Sequence, residues 1–234
     1  MKKREIEKRA KDMKYSLIPI LAVLLITATF FCRVPLIPAQ EILLDNYEEG
    51  LSDQWEQKSF KGETRYEVTV EDGQRCIKAT SRSSASALYY KIKYDARKYP
   101  LIQWRWKISK VLAKGNALTK EGDDYAARVY VVFPSTFFWR TKAINYVWAN
   151  TLPKGKAVPN PFTGNVIMIA VESGNELAGT WVQETRNLLK DYKKVFKKDP
   201  PRIGAVAIMT DTDNTGEEAT AWYGPIRVYD GKKP

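Results

Sequence analysis

The 234-residue sequence contains no histidine and only two cysteines, Cys32 and Cys76. Without histidine there is no Ser-His-Asp or Cys-His nucleophile system, no histidine-ligated zinc or haem, and no histidine general base. Two cysteines build neither a disulfide framework nor a multi-cysteine zinc site. Cys76, inside a strand-like run, reads as a small buried hydrophobe. Internal repeats and low-complexity linkers are also missing, so past a leader nothing marks a second domain. What the chain does have is 44% hydrophobic, 12% aromatic and 28% charged residues, a balance that excludes disorder and collagen.

The longest charge-free stretch, YSLIPILAVLLITATFFC from Tyr15 to Cys32, sits between Lys14 and Arg33. As a helix its 18 residues would reach about 27 Å, close to the ~30 Å hydrocarbon thickness of a bilayer. Before it, residues 1–14 hold seven cations against three anions, a net of +4. The positive-inside rule leaves that end cytoplasmic and sends the rest across, which predicts an inner-membrane, single-pass protein with a periplasmic body. The alternative is a signal peptide and a cleaved, secreted form. Against it stand the length of the run, the lack of an A-x-A site, and Phe31 before Cys32 where a lipoprotein box needs a small residue. The expected layout is a basic stub (1–14), a transmembrane anchor or signal segment (15–34), a linker (35–43) and a folded body (44–230). Removing the stub leaves +7 of the whole-chain +11, spread as scattered lysines. That is a soluble surface rather than a nucleic-acid footprint, and export makes nucleic acid a poor partner.

Past residue 40 the apolar period is two. Tyr66, Val68 and Val70 share one face of TRYEVTV, and Asp72-Gly73 supplies the positive-φ pair of a type I′ turn before a second strand, Arg75–Thr80. Further strand-like runs are Ala87–Tyr94, Leu101–Ile108, Tyr125–Phe133, Asn145–Ala149, Val166–Val171, Trp181–Asn187, Ile203–Thr210 and Ala221–Tyr229. About ten short strands predict an all-β, jelly-roll-type β-sandwich, with a single N-terminal transmembrane helix before it. One short helix is expected near 188–197, with Asn187 as N-cap, Leu188, Leu189, Tyr192, Val195 and Phe196 on one stripe, and Pro200-Pro201 as the stop.

Function has to come from side-chain constellations. Trp104 and Trp106 share a face of QWRWK and read either as core or as a sugar-stacking platform. In EGDDYAARVYVVF the expected inward set is Tyr125, Ala127, Val129, Val131 and Phe133. Asp124, Ala126, Arg128, Tyr130 and Val132 then face the other way. If this strand, NYVWAN and WVQETRN lie in one sheet, its outer face carries Asp124, Arg128, Tyr130, Tyr146, Trp148, Asn150, Glu184 and Arg186. Carboxylate, guanidinium, amide and aromatic groups together suit a polyhydroxylated ligand; the alternative is a lattice of cross-strand ion pairs. In MTDTDNTGEEAT, the residues Asp211, Asp213 and Asn214 before Gly216 imitate the start of a calcium loop. Trp222 occupies the position where an EF-hand needs its glutamate, and the same residues also simply make turns. No cofactor beyond such a calcium ion is expected.

The segments GLSDQWEQKSFKGET, QWRWKI, GDDYAARVYVVF, INYVWAN, PNPFTGN and VAIMTDTDNTGEEATAWYG resemble those of a bacterial family of exported proteins known only as a domain of unknown function, number 3047. The resemblance spans about residues 44–229 and implies export and a compact domain, with no catalytic residues to carry over. At the level of pattern the chain is also similar to jelly-roll sandwiches of the galactose-binding type. The expectation is a membrane-tethered, non-catalytic module that binds a glycan or another envelope component. The alternatives are a polysaccharide-active enzyme using two of Asp123, Asp124, Glu184 and Asp211, and a structural subunit of an envelope complex with an envelope protein as partner.

Overall fold

A computed structural model describes residues 40–231; the leader, with its expected anchor, lies outside them. Among the described residues no helix is long and apolar enough to cross a membrane. The alternating runs form fourteen strands: β1 (Glu41–Leu43), β2 (Trp55–Lys61), β3 (Arg65–Glu71), β4 (Gln74–Arg82), β5 (Ala85–Tyr94), β6 (Leu101–Ile108), β7 (Arg128–Phe133), β8 (Lys142–Ala149), β9 (Ala157–Asn160), β10 (Thr163–Ser173), β11 (Val182–Asn187), β12 (Ile203–Asp211), β13 (Glu218–Tyr223) and β14 (Arg227–Tyr229). They make two seven-stranded sheets, an all-β sandwich consistent with a jelly roll. The first sheet runs β1-β14-β6-β13-β4-β3, with β11 also on β6; the second runs β2-β5-β12-β7-β8-β10-β9.

The expected Asp72-Gly73 turn is present, with φ of 51° and 74°, and it sets Glu71 opposite Gln74. The expected strand Ala221–Tyr229 is instead two, β13 and β14, interrupted at Gly224-Pro225 where proline has no N–H for a ladder. The ten expected strands become fourteen partly because β1 and β9 are too short to show a period, and β2 is polar along most of its length.

The core lies between the sheets. Trp104 and Trp106 of β6 meet edge to face at 5.4 Å, Trp104 reaches Tyr146 of β8 at 5.2 Å, and Trp106 reaches Trp148 at 5.8 Å. This aromatic cluster ties the two sheets together, each pair adding about 0.5–1.5 kcal/mol beyond its burial. The Trp104–Trp106 pair is therefore core and not a stacking platform. Cys76 is fully buried as expected.

One end of the sandwich is closed by the helix α1 (Leu188–Phe196), with Leu188 and Tyr192 buried. The Asn187 side chain accepts the Lys190 N–H at 2.9 Å, satisfying one of the free donors of the first turn. Replacing Asn187 by alanine should cost about 1 kcal/mol and lower Tm by roughly 2–4 °C in a thermal melt.

Candidate functional site

The outer face of the second sheet carries a groove of about 610 Å3, within the roughly 300–1,000 Å3 typical of small-molecule sites. Alternation along the strands builds it. Leu88, Val129, Val131, Val206 and Ile208 turn to the core. Their neighbours Ala85, Ala87, Tyr89, Tyr130, Val132, Ala207 and Met209 therefore face outward and line the groove. Small alanines keep the floor low. Phe60 of β2 and Phe162 of the β9–β10 turn also line it, 61% and 57% exposed. Because β2 and β9–β10 are opposite edges of the sheet, the two rings stand on opposite walls.

One end of the groove is polar. Arg128 is 2% exposed; its Nη2 donates to Asp211 Oδ2 at 2.5 Å and to the Asp123 carbonyl, and its Nη1 donates to the Tyr130 hydroxyl at 3.0 Å. The Tyr125 ring lies 4.3 Å from the guanidinium. Asp123 Oδ2 accepts from Asn160 at 2.5 Å, while its Oδ1 is 3.7 Å from Arg128. Two buried polar atoms here keep no hydrogen-bond partner among the described residues, the donor Arg128 Nε and the acceptor Asp123 Oδ1. Burial pushes the Asp123 and Asp211 carboxyls upward, with Arg128 opposing in both. Burial likewise pushes the Tyr130 phenol up to about 12, again against Arg128. At neutral pH Tyr130 is thus a neutral hydroxyl.

The expected single face does not exist, because β11 belongs to the first sheet, where it pairs with β6. Glu184 and Arg186 therefore lie opposite Trp104 and Ile102 in the other layer, away from the groove. Tyr146 and Trp148 sit across from the inward face of β7 and are core residues. The Tyr146 hydroxyl donates to Asp191 at 2.8 Å, and Asp191 also receives Arg186. Asn150 is a buried bracket: it accepts the Leu112 N–H and donates to the Asp124 carbonyl. Only Arg128 and Tyr130 of that set line the groove. Tyr125 also departs from expectation. Residues 125–127 precede the ladder, so Ala126 and Ala127 both enter the core, and Tyr125 packs on the outer side with Val147, Ala149 and Met168.

The acidic segment after β12 comes to the same polar end. Asp211, Asp213 and Asn214 line the groove, and carboxylate oxygens of Asp124, Asp211 and Asp213 lie within 4.8 Å of one another. Asn214 itself is engaged by Asp124, whose Oδ2 accepts the N–H groups of Asn214 and Thr215 at 2.9 and 2.6 Å. Asp124 thus clamps the loop, and Asp211 is held by Tyr125 N–H and Arg128. A cation would have to compete with those donors, leaving Asp213 as the readiest of the three. The pattern reading missed Phe60, Tyr89, Asn160 and Phe162. The legible signal for Phe162 was an aromatic between two strands in PNPFTGN, where a turn normally carries polar residues.

Over residues 53–227 the chain matches the family described as protein of unknown function (DUF3047). No curated protein matches. Among solved structures, the chain is similar to the glycoside hydrolase domain of Endo-D from Streptococcus pneumoniae, at 13% identity and a TM-score of 0.39, covering 76% of this chain and 22% of that one. It is also similar to a family 29 carbohydrate binding module from Piromyces equi, at 9% identity and TM-score 0.41, covering 83% and 93%. A third is the carbohydrate recognition domain of Emp46p, at 13% identity and TM-score 0.46, covering 82% and 97%. The chain thus spans about a fifth of the hydrolase chain and nearly all of the other two.

Proposed function

We propose that this chain, which belongs to the DUF3047 family, is a non-catalytic module that binds a glycan in the groove of its second sheet. In the same reading the apolar run of residues 15–32 tethers it to the inner membrane with the sandwich in the periplasm. The observation that carries the binding role is the juxtaposition in one groove of two exposed phenylalanine walls and a polar end that presents Tyr130, Asn160, Asp213 and Asn214. A pyranose has an apolar C–H face, which suits Phe60 or Phe162, and hydroxyls that both donate and accept. Its hydroxyls can accept from and donate to the less buried polar groups lining that end, the Tyr130 hydroxyl, the Asn160 and Asn214 amides and the Asp213 carboxylate. A glycan supplies that combination, and an alkyl chain does not. For the enzymatic alternative, Glu184 lies in the first sheet, whereas Asp211 ends β12 of the second and Asp123 and Asp124 precede β7. Asp211 is engaged by Arg128, and Asp123 Oδ2 by Asn160.

The test is calorimetric titration of a panel of bacterial envelope and plant polysaccharides, with calcium and with a chelator. Binding by the wild type should fall about tenfold in Phe60→Ala and in Phe162→Ala, the loss of one aromatic contact of ~1–1.5 kcal/mol. Both rings are solvent-exposed, so neither change should lower Tm. Unchanged affinity in both variants would remove the groove as the site. The calcium arm decides whether Asp124, Asp211 and Asp213 add a cation to it.

A further inference from the structure

Between β7 and β8 the chain makes a short 3-10 turn, Phe138–Arg140, and none of its residues is buried. Phe137, Phe138 and Trp139 all stand out in solvent, Phe138 at 81% exposure. Three consecutive exposed aromatics are not a folding necessity, since the apolar residues of the turn bury nothing. They are nonetheless held in order. Phe137 and Trp139 stack at 5.1 Å, Phe138 meets Trp139 edge-on at 5.1 Å, and Asn165 Nδ2 donates to the Trp139 carbonyl at 2.7 Å.

Directly beside this tip is a cleft of about 690 Å3 lined by Arg140, Lys142 and Lys198, with Phe133, Tyr192 and Pro200 behind them. Its one acid, Asp199, is paired with Lys193 at 2.8 Å. Burial, followed by the charge of Lys198, holds the Lys142 ammonium below its ordinary range. The cations are therefore close enough to repel and lack a full complement of anions. Lys194 and Lys197 of the neighbouring helix end and Arg202 are exposed as well.

The position of this surface matters. The chain enters the sandwich at Gln40, where the Asp230 N–H reaches its carbonyl and the Tyr99 hydroxyl its side chain. That entry is at the end where Leu188 N–H bonds Pro100 O and α1 packs under Phe133, the same end as the tip. The glycan groove's polar end, by contrast, is built at Asp123 and Asp211, the far ends of β7 and β12 from the tip.

We infer that the Phe137–Trp139 turn and the Arg140–Lys142–Lys198 cleft form a second site, which docks the domain on an anionic phospholipid bilayer. Aromatic rings that are partly polarisable sit at the headgroup level, and cations just behind them meet the phosphates. A glycan-binding role is not required for this, and the two readings fail separately. Docking here would stand the sandwich on its entry end and leave the polar end of the groove pointing away from the lipid.

The experiment uses residues 38–234, which form one compact unit with their own core, so the apolar leader cannot supply the binding. The protein is sedimented with equimolar phosphatidylglycerol–phosphatidylcholine vesicles and with phosphatidylcholine vesicles alone. Binding is expected on the anionic vesicles and should weaken with salt. It should fall by about tenfold or more in the triple variant F137S/F138S/W139S and in the triple variant R140E/K142E/K198E. Brominated acyl chains should quench the wild type, and Trp139→Phe should lose that quenching. Thermal melts of the variants confirm folding. No sedimentation of the wild type with anionic vesicles, or equal sedimentation of the aromatic variant, overturns the inference. So does a wild-type dimer that the aromatic variant dissolves, which would make the tip a contact between copies.

Discussion

Replacing Arg128 by methionine should lower the stability of the domain by about 3–5 kcal/mol, which for a body of this size is a fall in Tm of roughly 10 °C or more. The guanidinium is all but fully buried, and it is the counter-ion for two carboxylates that are themselves buried, Asp211 and Asp123. Methionine fills much of the volume but leaves both carboxylates without a cation. Removing one member of a buried pair costs far more than the pair contributes, because the partner stays desolvated. The pH dependence of the loss identifies the cause. Burial already pushes both carboxyls up, and Arg128 opposes it. Without Arg128 their folded pKa values, already above the unfolded ones, rise further. A raised carboxyl favours folding where it is protonated and loses that contribution as pH rises through its folded pKa. The deficit of the variant relative to wild type should therefore be full above the variant's raised folded pKa values and shrink as pH falls through them. The double variant Arg128→Met, Asp211→Asn should regain part of the loss at neutral pH. A deficit that is the same at acid and neutral pH would point to packing at methionine instead.

That Arg128 matters was legible from its place in RVYVVF: a charge facing away from Val129 and Val131 on an otherwise apolar strand needs an explanation. Its partners were legible only as types. Alternation says which residues of one strand share a face, and here it was right for β7 and for Tyr66 and Val68 of β3. It does not say which strand lies next door, since pairing is set by long-range contacts such as β12 entering between β5 and β7. WVQETRN was grouped with YAARVYVVF on that missing knowledge, and the grouping placed Glu184 and Arg186 on the wrong layer. NYVWAN was placed beside the correct strand with its faces reversed, because Asn145 and Val147, not Tyr146 and Trp148, lie across from Tyr130 and Arg128. The acidic loop at 211–214 was read as a separate feature, yet the antiparallel run of β12 against β7 carries it to the end where Arg128 lies. Phe60 was hidden for a different reason: β2 is an exposed edge strand, polar at most positions, so its one outward aromatic broke no pattern.

The displaced residue Glu184 gives the other large effect. Its carboxyl is pushed up to about 8, first by burial and then by the neighbouring Glu172 carboxyl, against the opposing charges of Lys154 and Arg186. Lys154 is itself bonded to Glu172, so it serves that partner first. Glu184 Oε1, on β11 of one sheet, has no hydrogen-bond partner among the described residues, and Glu172 of β10 in the other sheet supplies a like charge beside it. A folded pKa above the unfolded value contributes stability that is complete below about pH 4.5 and is lost as pH rises through about 8. Full conversion of that shift would be near 5 kcal/mol, a ceiling that partial exposure to water reduces to about 2 kcal/mol. Urea melts of the wild type should therefore show stability declining from pH 5 to pH 9. Glu184→Gln, which keeps the shape and a permanent N–H donor toward Glu172, should flatten that decline and be the more stable protein at pH 9. Glu172→Gln should move the inflection downward by removing the like charge, while exposing Lys154 to a neutral partner. A wild-type profile level from pH 5 to 9 would mean that burial and the neighbouring Glu172 do not hold the Glu184 proton.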